Sequence, residues 1–138
     1  MKIIAHRGNT SGPSNYENHP KHIAIALSSG FDVEVDVWYL NGDYFLGHDG
    51  PFYNVEEMFL ENEKFWCHAK NSEALSRMID NPKIRCFWHE DDERTLTSDN
   101  IIWTYPEKEV SEKSVIVHLD NDWKNKYKCY GICTDYCF

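Results

Sequence analysis

Acidic and apolar residues alternate along Asp32-Val33-Glu34-Val35-Asp36-Val37-Trp38, a period-two pattern that predicts a half-buried strand with its carboxylates on one face. A first strand is expected over residues 2–5, ending at His6 and passing into a loop that contains Gly8, Asn9, Ser11, Gly12, Pro13 and Ser14. Asn41-Gly42-Asp43 predicts a tight hairpin into Tyr44-Phe45-Leu46, which stops at Gly47-His48-Asp49. Helices are expected over 20–29, 55–62 and 72–80. In the first, Ile23, Ala26 and Leu27 share a face and Gly30 is the stop; in the last, Leu75, Met78 and Ile79 face inward and Pro82 follows. After that the chain changes character. Apolar runs at 84–88, 101–103, 115–117 and 130–133 read as strands, and the polar stretches between them are too short for long helices.

Charge and composition narrow the partners. A net charge of −9 and a pI near 5.1 argue against binding to nucleic-acid backbones or anionic membranes, which attract basic surfaces. No run approaches the roughly 18 apolar residues of a membrane span, so no membrane insertion is expected. The chain runs from Met1 directly into His6-Arg7-Gly8 with no signal peptide, which places the expected location in the cytoplasm. Five cysteines, with Cys67 and Cys86 inside apolar runs, read as reduced, packed thiols. Cys129, Cys133 and Cys137 lack the paired spacing of a zinc or iron–sulfur site. Without repeats or linkers, residues 1–138 read as one domain.

The strand ends carry the chemistry. Glu34 and Asp36 on one face of a strand would repel each other in a low-dielectric site unless a cation stood between them, and their oxygens suit Mg²⁺ or Ca²⁺. A solvated acidic face is the other reading of the same alternation. Arg7 offers a planar fork of donors that matches phosphate oxygens. His6 and His48, each at a strand-to-loop junction, can reach a substrate.

The order His6-Arg7-Gly8, Glu17-Asn18, Glu34-x-Asp36 and Gly47-His48-Asp49 resembles the glycerophosphodiester phosphodiesterase family, relatives of the phosphatidylinositol-specific phospholipases C and the sphingomyelinase D group. The likeness is close over residues 3–51. Further on, 65–70 resembles the strand on which the family carries an acidic metal ligand two residues before a lysine, and 130–136 resembles its last barrel strand. The resemblance implies a reduced, TIM-like (β/α)8 barrel. Such a barrel typically takes about 250 residues, so in 138 several helices of the second half must be shortened or missing. Outer strand surface would then be thinly covered, and a second copy forming a homodimer could cover it.

The resemblance also implies a metal-dependent phosphodiesterase that hydrolyses a glycerophosphodiester or similar small phosphodiester. His6 and His48 would be the acid and base, and Glu34 and Asp36 would hold Mg²⁺ or Ca²⁺. Arg7 and Lys70 would grip the phosphate, with Glu17 and Asn18 in support. In the family a neighbouring substrate hydroxyl attacks, giving a cyclic phosphate that water opens. The chain departs from the pattern at His68, which stands where a third carboxylate is expected and which could bind a softer metal through nitrogen. It also lacks the usual insertion after Gly-His-Asp. Other readings are a cyclising or phosphoryl-transfer enzyme on a sugar or nucleotide phosphodiester, and a non-catalytic phosphate-binding module. His89, Tyr105, His118 and Asp120 follow later strands, so His118 or Asp120 could complete the metal shell; Trp88 and Trp103 read as core.

Overall fold

In the computed structural model, which describes residues 1–138, the chain forms ten strands and three helices, with all the helices in the first 79 residues. They are β1 (Lys2–His6), α1 (Pro20–Ser28), β2 (Asp32–Leu40), β3 (Asp43–Leu46), β4 (Tyr53–Val55), α2 (Glu57–Leu60) and β5 (Phe65–Ala69). There follow α3 (Ser72–Ile79), β6 (Cys86–Phe87), β7 (Arg94–Leu96), β8 (Ile102–Thr104), β9 (Ser114–Val117) and β10 (Gly131–Thr134). Seven strands run parallel in the spatial order β6-β5-β2-β1-β10-β9-β8. β3 and β4 fold back antiparallel on the far end of β2, and β7 lies antiparallel on β8.

This curled, open, mixed sheet is half a barrel and corrects the expected (β/α)8 TIM-like barrel. Two physical reasons stand out. Helices fill only the connections before β2, β5 and β6, and no ladder joins β6 to β8. The expected helix over 55–62 shrinks to one turn because Val55 is claimed by pairing with Tyr44. β4 and β7 lie outside the expected strands; each has only 3 residues, too few to establish a period in the sequence.

The alternation in β2 separates two cores. Val33, Val35 and Val37 face outward, where Ile23 and Ala26 of α1, Leu60 of α2, and Ala74 and Met78 of α3 bury them. Both longer helices start on side-chain caps: His19 accepts from the Lys21 N–H ahead of Pro20, and Asn71 accepts from the Ala74 N–H. Inside the curl, Ile4, Trp66, Phe87, Trp103, Val115 and Cys133 fill the space, with Phe87 and Trp103 stacked at 4.4 Å. The Trp66 indole donates to Asp32 at 3.0 Å, and Arg85 lies 3.8 Å over the Trp66 ring, so the N-terminal end of the curl is plugged.

The outer face of β9 and β10 has no helix. It is covered instead by the chain's own loop, with Trp123 packed on Ile116 and Ile132 and its indole donating to the Tyr136 carbonyl at 2.7 Å. On these two strands the cover comes from the chain itself. No helix is long and apolar enough to cross a membrane.

The open edge at β6 is held by a side chain. Ser98, in the turn after β7, gives its N–H to the Cys86 carbonyl at 2.8 Å and accepts the Cys86 N–H on its hydroxyl at 2.9 Å. Ser98→Ala strands the buried Cys86 donor, and a loss of about 1–3 kcal/mol is expected in urea unfolding. An unchanged midpoint would mean that the edge is held by packing alone.

Candidate functional site

Register and pleat bring the polar ends of the parallel strands together. His6 pairs with Glu34 and Asp36 with His68 in the parallel ladders, so these side chains emerge on the same inner face, above the aromatic core. The hairpin turn at Asn41 and Gly42, both at positive φ, folds β3 back along β2 and delivers His48 to the same end. The result is a cavity of about 400 Å³ whose wall includes His6, Arg7, Glu34, Asp36, His48, His68 and Lys70. His89, Trp103 and Tyr105 line its other side.

Asp36 is the hub. Its Oδ2 accepts from Asn18 Nδ2 at 2.9 Å and lies 3.4 Å from Arg7 Nε and 3.6 Å from His48 Nδ1, and its backbone N–H donates to Asn18 Oδ1 at 2.9 Å. Burial alone would push this carboxyl up, but His48, His68, Arg7 and Asn18 outweigh it and hold the carboxyl well below its ordinary range. Arg7 sits at φ 54°, a left-handed conformation uncommon for a residue with its side chain, and this turns its backbone N–H onto Glu34 Oε1 at 3.2 Å. Its guanidinium is braced by Glu17 at 3.1 Å. Glu17 thus positions Arg7, and Asn18 positions Asp36.

His6 has a partner that sequence reasoning missed. Its Nδ1 meets Asp135 Oδ1 at 2.9 Å, and the same oxygen accepts from Asn9 Nδ2 at 2.8 Å, while Asn9 also binds Glu17 and meets the His22 ring. Asp135 follows β10 two residues after inward-facing Cys133, the same spacing that sets Asp36 after Glu34. Burial lowers the His6 pKa, but the Asp135 hydrogen bond and Glu34 raise it further, so it stands above 6.5. Burial likewise raises Asp135, and the His6 and Asn9 hydrogen bonds overcome this and hold it below 3.8.

The His6 contribution to stability is therefore complete below 6.5 and lost as pH rises through the raised value. That of Asp135 is complete above 3.8 and lost as pH falls through the lowered one. The pair is strongest between those limits. Asp135→Asn is expected to move the His6 titration midpoint downward in NMR of the chelator-treated protein. No movement would dissociate Asp135 from His6.

Glu34, Asp36 and His68 each place one ligand atom within 4.8 Å of the others. His68 Nε2 meets the His89 carbonyl at 3.0 Å. A carbonyl only accepts, so Nε2 carries the proton, and in the neutral ring Nδ1 presents a lone pair. That lone pair faces Asp36 Oδ1 at 3.4 Å and Glu34 Oε2 at 3.6 Å, with both carboxylates almost fully buried. Three electron-rich atoms converge where only a proton or a cation reconciles them, and a ring held through its far N–H is the usual arrangement of a metal-binding histidine. The residues fit a divalent cation.

His118 does not join them. Its Nδ1 meets Tyr127 and its Nε2 meets Asp122, both nitrogens being engaged outside the cavity, and Asp120 is exposed beside it. The idea that His118 or Asp120 completes the shell is thereby corrected. Trp103 is both core and cavity wall, whereas Trp88 packs against the outer cluster. All five cysteines are free thiols. Comparison of the chain with protein-family models, curated proteins and solved structures finds no match in any of the three.

Proposed function

We propose that this protein is a cation-dependent phosphodiesterase acting on a small phosphodiester such as a glycerophosphodiester. The supporting observation is the convergence of two imidazoles, two buried carboxylates, a third imidazole, an arginine and a lysine on one cavity at the C-terminal ends of parallel strands. Arg7 and Lys70 supply positive charge for the non-bridging phosphate oxygens. His6, whose hydrogen bond to Asp135 favours the protonated ring, gives its proton to the leaving oxygen. His48, beside Asp36 and open to solvent on its other side, takes the proton of the attacking oxygen.

Glu34, Asp36 and His68 would hold the cation, which when bound offsets charge developing on the phosphate. Two carboxylates favour Mg²⁺, Ca²⁺ or Mn²⁺, and the imidazole tilts the set towards Mn²⁺ or Zn²⁺. Because one histidine must start protonated and the other neutral, kcat/KM should trace a bell against pH. The test is a pH–rate profile on glycerophosphodiesters with each cation in turn. A rate rising monotonically across the histidine range would remove the paired assignment.

A further inference from the structure

Asn9 is 0 % exposed and does not line the cavity, yet its side chain stands where the supports of two site cations meet. Its Nδ2 donates to Glu17 Oε2 at 2.8 Å and to Asp135 Oδ1 at 2.8 Å. The other oxygen of Glu17 holds the Arg7 guanidinium at 3.1 Å, and the same Asp135 oxygen meets His6 Nδ1 at 2.9 Å. One amide nitrogen thus touches both the carboxylate behind the phosphate clamp and the carboxylate behind the proton donor.

The amide is fixed on every side. Both Nδ2 hydrogens are committed to carboxylates, which turns Oδ1 away from them and onto His22 Nε2 at 2.9 Å; an amide oxygen only accepts, so that nitrogen carries the proton. The Asn9 backbone N–H donates to the His6 carbonyl at 2.9 Å, which keeps the loop folded back on the end of β1. Two carboxylates that face each other across a buried nitrogen would repel without a donor between them. A lysine or arginine there would compete with His6 and Arg7 for the same two anions, and a hydroxyl has a single proton to give. An amide supplies two donors and no charge.

We infer that Asn9 is a positioning residue that locks the Arg7 clamp and the His6 proton donor into one unit, so that a phosphate held by Arg7 meets the His6 proton at a fixed geometry. The assignment rests on the roles proposed above for Arg7 and His6 and extends them to a residue outside the cavity.

The link can be read before any turnover. Glu17→Gln changes the charge behind Arg7 and keeps the shape; in the chelator-treated full chain at one fixed pH it should move the ring ¹⁵N resonances of His6, and in an Asn9→Ala background that movement should be lost. An equal movement in both backgrounds would be a field effect through space, and no movement with Asn9 in place would mean that no link exists; either overturns the assignment. Should Asn9→Ala not fold, the side-chain amide of Asn9 itself decides. Its ¹⁵N resonance should respond to Glu17→Gln and to Asp135→Asn alike, and a response to one or to neither overturns the assignment.

Kinetics on a glycerophosphodiester with Mg²⁺ separate the link from a purely structural role, which would lower the amount of folded protein and leave KM alone. Asp135→Asn should act mainly on kcat and Glu17→Gln mainly on KM, whereas Asn9→Ala should lower kcat and raise KM by about tenfold each, the worth of one hydrogen bond to a charged group on either side. A change confined to one constant, or absent from both, would overturn the assignment. A protein without turnover removes the catalytic reading and leaves the resonances to judge Asn9 on their own.

Discussion

Replacing His6 or His48 with alanine is expected to lower kcat on a soluble phosphodiester by about 10²–10⁴-fold each, with a much smaller change in KM. The size follows from what each ring does. Proton transfer acts only as bonds break, so its loss appears in kcat, whereas Arg7 and Lys70 still bind the phosphate charge. The two variants should differ in their pH dependence. Without His6 the limb on which rate falls with rising pH should disappear, because the Asp135-paired imidazolium sets that limb. Without His48 the opposite limb should go. Equal rates in both variants and wild type, measured on one substrate preparation, would mean that neither ring moves a proton.

A divalent cation is expected to raise the melting temperature of the wild type by roughly 10 °C when present at about a hundred times its Kd, since a ligand bound only by the folded state contributes about 2.7 kcal/mol there. Glu34→Gln should erase that rise. It removes one charge from the trio of Glu34, Asp36 and the His68 lone pair, yet the amide oxygen can still accept the Arg7 N–H that Glu34 accepts now at 3.2 Å. The metal-free variant keeps that hydrogen bond and should still unfold in one cooperative transition, so the readout is the cation-induced rise itself. A cation response in Glu34→Gln as large as in wild type would place the ion elsewhere.

The sequence made the site more legible than the sheet. Period-two alternation in β2 was enough to set Glu34 and Asp36 on one face, and Asn41-Gly42 was enough to turn His48 back towards them, because both signals are local. The second half offered no comparable local cue. Whether strands close into a barrel depends on pairings across long separations, such as the absent ladder between β6 and β8, and on connections whose composition shows only that helices are lacking. Trp123 covers a strand face that composition made look bare, from a loop with no periodicity to announce it. Asp135 was missed for a related reason. Its partner His6 lies 129 residues away, and only the sheet order that sets β10 beside β1 brings the two together.

The most direct measurement of the central claim, that these groups form one phosphodiester-cleaving centre, follows the ³¹P resonance of a glycerophosphodiester incubated with the wild-type protein and Mg²⁺, Mn²⁺ or Ca²⁺. The account predicts that the diester signal gives way to a monoester, with or without a transient cyclic phosphate, and that a chelator halts the change. A diester signal that persists unchanged with every cation, in a folded protein, would contradict it.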